Sequence, residues 1–214
     1  NFDLMTSYNN LPIDKYVKDN DPPKRLRRYM RYNVNTENHE KYSMETSNVH
    51  IFCQNVTDYR GEPRTFELIE HKHATNPWLT DFLTQVSAIA VLNECLKKDV
   101  CVLESKIKSL TVEVHQVRQI AYPGQESHNS PEGIHRDGAD YIVSALVMNR
   151  INIMGGESLI YDKDKKEIYR TTLREEEGIF QEDQDQWHHV SGIEPVHNRL
   201  GFRDILGVDI IVNE

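Results

Sequence analysis

The clearest periodic signal in the chain starts at Asn76-Pro77-Trp78. A capping residue and a proline suited to the first helical turn are followed by Leu79, Phe82, Leu83, Val86, Ile89 and Ala90 at helical spacing. The pattern predicts a helix from residue 77 to about residue 97, with an apolar stripe that needs a partner surface. From residue 110 onward the period shortens to runs rich in β-branched and aromatic residues: 110–121, 141–149, 157–161, 167–172, 178–181, 187–193 and 202–212. Pro123-Gly124, Gly155-Gly156 and the stretches 162–166 and 195–201 punctuate them. Strands at this spacing predict a sandwich or barrel, of which a jelly roll is one form. Upstream, Tyr- and Val-containing runs between residues 25 and 52, broken over 35–41, predict further strands. Residues 1–24 are polar, carry Pro12, Pro22 and Pro23, and are expected to form an irregular arm. At 214 residues the chain is expected to be one domain, with 1–105 packing strands and a helix onto a core built from 106–214.

Composition narrows the partners. With 38% apolar and 28% charged residues the chain reads as soluble and folded. Its longest stretches without Asp, Glu, Lys or Arg are 12 residues, short of the ~18–20 that span a bilayer, so no membrane partner is expected. Asn1-Phe2-Asp3-Leu4 shows no basic-then-apolar secretory pattern, and Cys53, Cys95 and Cys101 form neither a disulfide framework nor a zinc spacing. A cytoplasmic location is expected, in which the Asn55-Val56-Thr57 sequon has no role. The net charge of −9 opposes nucleic-acid binding. One run departs from it: 24–31, KRLRRYMR, has five cations in eight residues. It either contacts an anion or belongs to a strand whose arginines pair with carboxylates elsewhere. The sequence does not speak to oligomeric state.

Among ten histidines, His135 stands out in Gly133-Ile134-His135-Arg136-Asp137-Gly138. Residues i and i+2 of an extended segment share a side, so the His135 imidazole and Asp137 carboxylate can converge on one metal ion. Two His and one carboxylate on one face of an octahedral Fe(II) leave three positions open, enough for a bidentate co-substrate and dioxygen. A third ligand must come from elsewhere. Trp187-His188-His189-Val190-Ser191-Gly192-Ile193 offers two adjacent histidines, of which strand alternation turns only one inward. Arg203, in Gly201-Phe202-Arg203-Asp204-Ile205-Leu206, opens the last strand. An inward Arg there needs a carboxylate, and its planar fork suits a bidentate one, whether from Asp204, a distant Glu or a ligand. Gly155-Gly156 fits a tight turn with positive φ rather than a phosphate loop, since no GxxxxGK[ST] or GxGxxG is present.

The order HxD, HxVSxI, FRDIL resembles the Fe(II)- and 2-oxoglutarate-dependent dioxygenases, and within them the bacterial free amino acid hydroxylases of the isoleucine 4-hydroxylase-like group. The resemblance rests on VHQVR at 114–118, IHRD at 134–137, LVMN at 146–149, GGESLI at 155–160, and the stretches 188–193 and 202–206. It continues more weakly through 27–32, Arg64-Thr65-Phe66 and Asn76-Pro77. It implies a mainly β fold with flanking helices around a double-stranded β-helix, a jelly-roll, cupin-like core. It also implies His135, Asp137 and His188 as iron ligands and catalytic residues, with Arg203 holding the distal carboxylate of 2-oxoglutarate. His188 is preferred to His189 because it sets Val190, Ser191 and Ile193 in register with the family pattern; Gly192 departs from the proline usual there. With O2, such an enzyme converts 2-oxoglutarate to succinate and CO2 and hydroxylates an unactivated C–H bond. A small-molecule amino acid, aliphatic or a close derivative, is the implied partner. Its carboxylate and ammonium need partners, for which His115, Gln116, Arg118 and the 122–132 loop are candidates, with Asp140 and Tyr141 behind them. Arg118 shares strand parity with Gln116 and not with His115, so at most two of those three line one pocket. A peptide or protein side-chain hydroxylase and a non-enzymatic metal-binding jelly-roll sensor are the competing functions.

Overall fold

A computed structural model describes residues 2–17, 21–37, 41–53, 62–129 and 132–213. His39, the Asn55-Val56-Thr57 sequon and Ser130-Pro131 of the 122–132 loop lie outside the described residues. The chain begins with α1 (Phe2–Ser7), then β1 (Arg25–Asn35), β2 (Ser43–Ser47), β3 (Ile51–Phe52) and β4 (Arg64–Thr65). Helices α2 (His71–Ala74) and α3 (Pro77–Lys97) precede β5 (Ser109–Ala121), β6 (Tyr141–Ile151), β7 (Ile153–Gly155) and β8 (Glu157–Tyr161). Strands β9 (Glu167–Thr172), β10 (Gly178–Glu182), β11 (Trp187–Val190), β12 (Ile193–Pro195) and β13 (Gly201–Asn213) complete it.

The main sheet has six strands in the order β10-β6-β13-β5-β1-β2, so the first half of the chain adds β1 and β2 beside β5 of the second. A smaller sheet, β11-β8-β9, and the β12-β7 pair carry the opposite layer. This is a jelly roll, the double-stranded β-helix. The strands predicted at 157–161 and 167–172 are β8 and β9, while 187–193 divides into β11 and β12 at Ser191-Gly192. That break lets the Gly192 carbonyl accept from the Gly156 amide at 2.9 Å. Gly155 and Gly156 have φ of 77° and 70°, and a Cβ on Gly155 would stand 2.2 Å from the Gly192 oxygen, so the turn tolerates only glycine there.

Side chains alternate across the main sheet. On β5, Leu110, Val112 and Val114 face the helix side; on β13, Leu206, Val208 and Ile210 do the same, and all six are buried. Leu79, Leu83, Val86 and Ala90 of α3 pack on this face. The stripe continues through Val91 and Cys95, whereas Ile89, expected within it, is 44% exposed. Asn76 caps α3 as its sequence predicts, Oδ1 accepting from Trp78 N at 3.0 Å. Asn76→Ala should lower stability by about 1 kcal/mol, read as a shift in the denaturant midpoint at unchanged slope. The irregular arm expected over residues 1–24 is helical over 2–10, while the described residues from 11 to 24 form no helix or strand. Leu4 and Tyr8 are wholly buried, and the Tyr8 hydroxyl donates to the Ile205 carbonyl at 2.9 Å. A helix of fewer than two turns is too short to show a period, and its burial comes from the sheet beneath it. Among the described residues no helix is long and apolar enough to cross a membrane.

Candidate active site

His135 lies after Gly133, in a segment bridged to β11: His135 N donates to the His188 carbonyl at 3.0 Å and His188 N to the His135 carbonyl at 2.9 Å. This pairing sets the two rings 4.2 Å apart between centroids. Asp137, two residues on, turns to the same side. Its Oδ1 is 3.8 Å from His135 Nε2 and its Oδ2 is 3.5 Å from His188 Nε2, and one ligand atom from each residue lies within 4.8 Å of the others. Ligand atoms sharing one face of an octahedral ion at about 2.1 Å stand roughly 3 Å apart, so small side-chain adjustments would let the set close around an iron ion. His135 Nδ1 donates to the Gly133 carbonyl at 2.8 Å, which fixes the tautomer and leaves the Nε2 lone pair free for a metal. Burial pushes His188 down to about 4, against the opposing pull of Asp137, so its imidazole is neutral at physiological pH. The adjacent His189 points to the other side of β11, as alternation requires.

Asp183, just beyond β10, organises this segment. Its carboxylate accepts from the backbone amides of Asp137 at 3.1 Å, Gly138 at 2.6 Å and Ala139 at 3.3 Å. Burial, then the nearby Asp137 charge, pushes Asp183 up to about 6, while those three amides pull it down. No sequence pattern marks it: Glu182 to Gln186 reads as a polar turn, yet Asp183 is wholly buried. Removing a group that orients a ligand costs about 10–100-fold in metal affinity. Asp183→Ala should therefore weaken Fe(II) binding in an anaerobic titration by about that factor; unchanged affinity would confine Asp183 to loop stability.

Arg203 is wholly buried on the inward face of β13. Its Nη1 donates to the Gly156 carbonyl at 3.3 Å and its Nη2 to Gln119 Oε1 at 3.2 Å, while Nε has no partner. Among the described residues no carboxylate pairs with it. Asp204 turns to the helix side and holds Arg118 with two bonds of 2.7 and 2.8 Å. Burial, with Arg150 adding to it, lowers Arg203 to about 10, so the guanidinium is still charged at neutral pH. An unpaired buried cation is costly. The planar fork, its orphaned Nε and the missing counter-charge fit the distal carboxylate of a bound 2-oxoglutarate.

A cavity of about 110 Å³ opens beside His135, Asp137 and His188. His115 lines it together with His135, Asp137 and His188. Gln116 and Arg118 do not reach it. They point to the helix face, where Gln116 donates to Ser7 Oγ and Arg118 pairs with Asp204 over the Phe202 ring. Asp140 accepts from Val212 N and from Gln184, and the Tyr141 hydroxyl donates to Glu94, so both are held outside the cavity. Asn129 and Glu132 bring the 122–132 loop to the rim. Sequence reasoning missed Arg27, Arg64, Phe52 and Asp209, which also line it. The basic run at 24–31 was the available signal for Arg27.

Comparison with known proteins adds three findings. The family model of the 2OG-Fe dioxygenases matches residues 5–209. L-isoleucine-4-hydroxylase of Bacillus thuringiensis is 25% identical over 219 residues, an alignment covering 100% of this chain and 85% of that protein. Two crystal structures share the fold. A bsmA homolog from Methylobium petroleophilum superposes with a TM-score of 0.80 at 23% identity, covering 98% of this chain and 80% of that one. IDO from Bacillus thuringiensis gives 0.74 at 22% identity, over 100% and 86%. Triad, buried arginine and whole-chain match agree: the chain belongs to the 2OG-Fe dioxygenase family, and it is a 2-oxoglutarate-dependent oxygenase using Fe(II), 2-oxoglutarate and O2.

Proposed function

We propose that this oxygenase hydroxylates an unactivated C–H bond of a free L-amino acid, aliphatic or a close derivative, with release of succinate and CO2. The observation that carries the substrate class is the alignment of the whole chain with an L-isoleucine-4-hydroxylase. The site supports it. His135, Asp137 and His188 would hold the iron, and Arg203 would hold the far end of 2-oxoglutarate. Iron and co-substrate supply the oxidising power when bound. The protein's part is orientation and exclusion of water: Val117, Val190 and Ile205 give the cavity an apolar wall beside the ligands, and Phe52 adds to it. An aliphatic side chain suits that wall. The small cavity suits a free molecule better than an extended peptide.

The test is succinate release from 2-oxoglutarate in air with added Fe(II) and ascorbate, across the twenty amino acids, with mass spectrometry of each. Succinate coupled to an amino acid heavier by one oxygen is the expected result. Slow succinate release that no amino acid accelerates would move the substrate to peptides or modified amino acids. Iron binding without any succinate would favour a metal-binding sensor.

A further inference from the structure

The basic run at 24–31 forms β1, and three of its arginines have carboxylate partners. Arg25 meets Asp14 at 2.8 Å, Arg28 meets Glu67 at 3.1 Å and Arg31 meets Glu113 at 2.8 Å. Arg27 is the exception: among the described residues no carboxylate stands within ion-pair distance of it. Its guanidinium lies 4.3 Å from the centroid of Phe66 and 5.6 Å from that of Phe52, and its Nε is buried without a partner. One amino group bonds His115 Nδ1. A guanidinium can only donate, so Nδ1 accepts, and the proton on His115 Nε2 is donated to Asp209 Oδ2 at 3.2 Å. Burial first, then Arg27 and its neighbours Arg64 and Arg25, keep the imidazole neutral.

Arg27, His115 and Asp209 all line the cavity that holds the metal ligands. Arg203 belongs to another pole. Arg203, Ile205, Gly207 and Asp209 alternate inward along β13, so about 20 Å of strand separates the first from the last. Among the described residues Arg27 and Arg203 both lie inside without a carboxylate in ion-pair distance, one near each end of this row, and a co-substrate can satisfy only one.

We propose that Arg27, His115 and Asp209 form the subsite that recognises the amino-acid zwitterion, Arg27 taking the carboxylate and Asp209 the ammonium, with His115 fixing the two relative to each other. The assignment rests on the amino acid hydroxylase function proposed above. It uses the unspent donors of Arg27, and it gives a neighbouring cation to the buried Asp209 carboxylate, whose charge Asp137, Glu113 and Asp183 oppose. The cation–π contacts to Phe52 and Phe66 position the guanidinium without consuming its donors. The apolar wall of Val117, Val190 and Ile205 is left for the side chain.

The experiment compares three probes on the Fe(II)-loaded full chain: L-isoleucine, or the best-coupled of the twenty amino acids if it differs, its carboxamide, and its 2-hydroxy acid. The readout is the KM ratio between analogue and amino acid. In the wild type the carboxamide should be poorer by roughly 30-fold or more, the loss expected when a buried charge pair loses one partner. Arg27→Gln should collapse that ratio to within about threefold, and Arg27→Lys should leave it intermediate. Asp209→Asn should collapse the 2-hydroxy acid ratio instead. A variant that only disturbs folding slows all three probes together and leaves both ratios intact, which would overturn the assignment. So would a wild type that accepts the carboxamide as well as the acid. A wild type coupled to no amino acid would overturn the amino-acid function and this subsite with it; coupling with ratios insensitive to Arg27 and Asp209 would overturn the subsite alone.

Discussion

Replacing His135 or Asp137 by alanine is expected to abolish iron-dependent succinate release. His135, Asp137 and His188 would supply one atom each to a single face of the ion, and two of them would not hold iron in the three-point geometry that leaves the other face open. Loss of a group that only orients a ligand costs about 10–100-fold in affinity, and loss of the ligand itself should exceed that. Turnover should fall by at least roughly 100-fold, with anaerobic Fe(II) titration showing a matching loss of affinity. His189→Ala is the internal control. That side chain sits on the other side of β11 from the His135 and Asp137 ligand atoms, so the variant should bind iron and turn over within about twofold of the wild type. Near-normal turnover in His135→Ala or Asp137→Ala would remove the metal site proposed here. Loss of iron in His189→Ala would reopen the choice between the two histidines.

Arg203→Met should separate stability from co-substrate binding. Arg203 is a buried charge with two long hydrogen bonds and, among the described residues, no carboxylate partner, so methionine removes a desolvated cation and keeps most of the volume. Such replacements are neutral or stabilising by about 1–4 kcal/mol. The melting temperature of the free protein should therefore hold or rise. Adding 2-oxoglutarate with Mn(II) should raise the wild-type melting temperature, because a ligand that binds only the folded state stabilises it, and should leave that of the variant unmoved. The 2-oxoglutarate requirement for turnover should rise by about 2–5 kcal/mol, or from about 30-fold to several thousandfold. An unchanged requirement would return Arg203 to a purely structural role. A drop in the melting temperature of the free protein would show that the bonds to Gly156 and Gln119 outweigh the desolvation cost.

Local chemistry could be read directly from residue order. Asn76 and Pro77 start α3 because capping and a fixed proline φ act within one turn. The jelly-roll strands follow from β-branched runs and the turns between them. Strand parity separates His115 from Gln116 and Arg118, and the structure places His115 alone of the three in the cavity. Parity also left a single inward histidine in Trp187-His188-His189. Which of the two faces is the interior could not be read, because alternation is the same for both.

Tertiary contacts decided that, and with it most of the site. Asp204 pairs with Arg118 and not with Arg203, so the arginine next to it in sequence does not have that carboxylate as its partner. Of four arginines on β1, three pair with carboxylates at distant positions and Arg27 has none among the described residues, a difference no local pattern encodes. Asp183 and Asp209 look like ordinary acidic residues until the fold buries one under the amides of Asp137, Gly138 and Ala139 and the other beside His115. Capping, alternation and turns depend on neighbours a few bonds away, and residue order states them. The cost of burying a charge depends on which groups from remote strands surround it, and only the packed sheets bring those groups together.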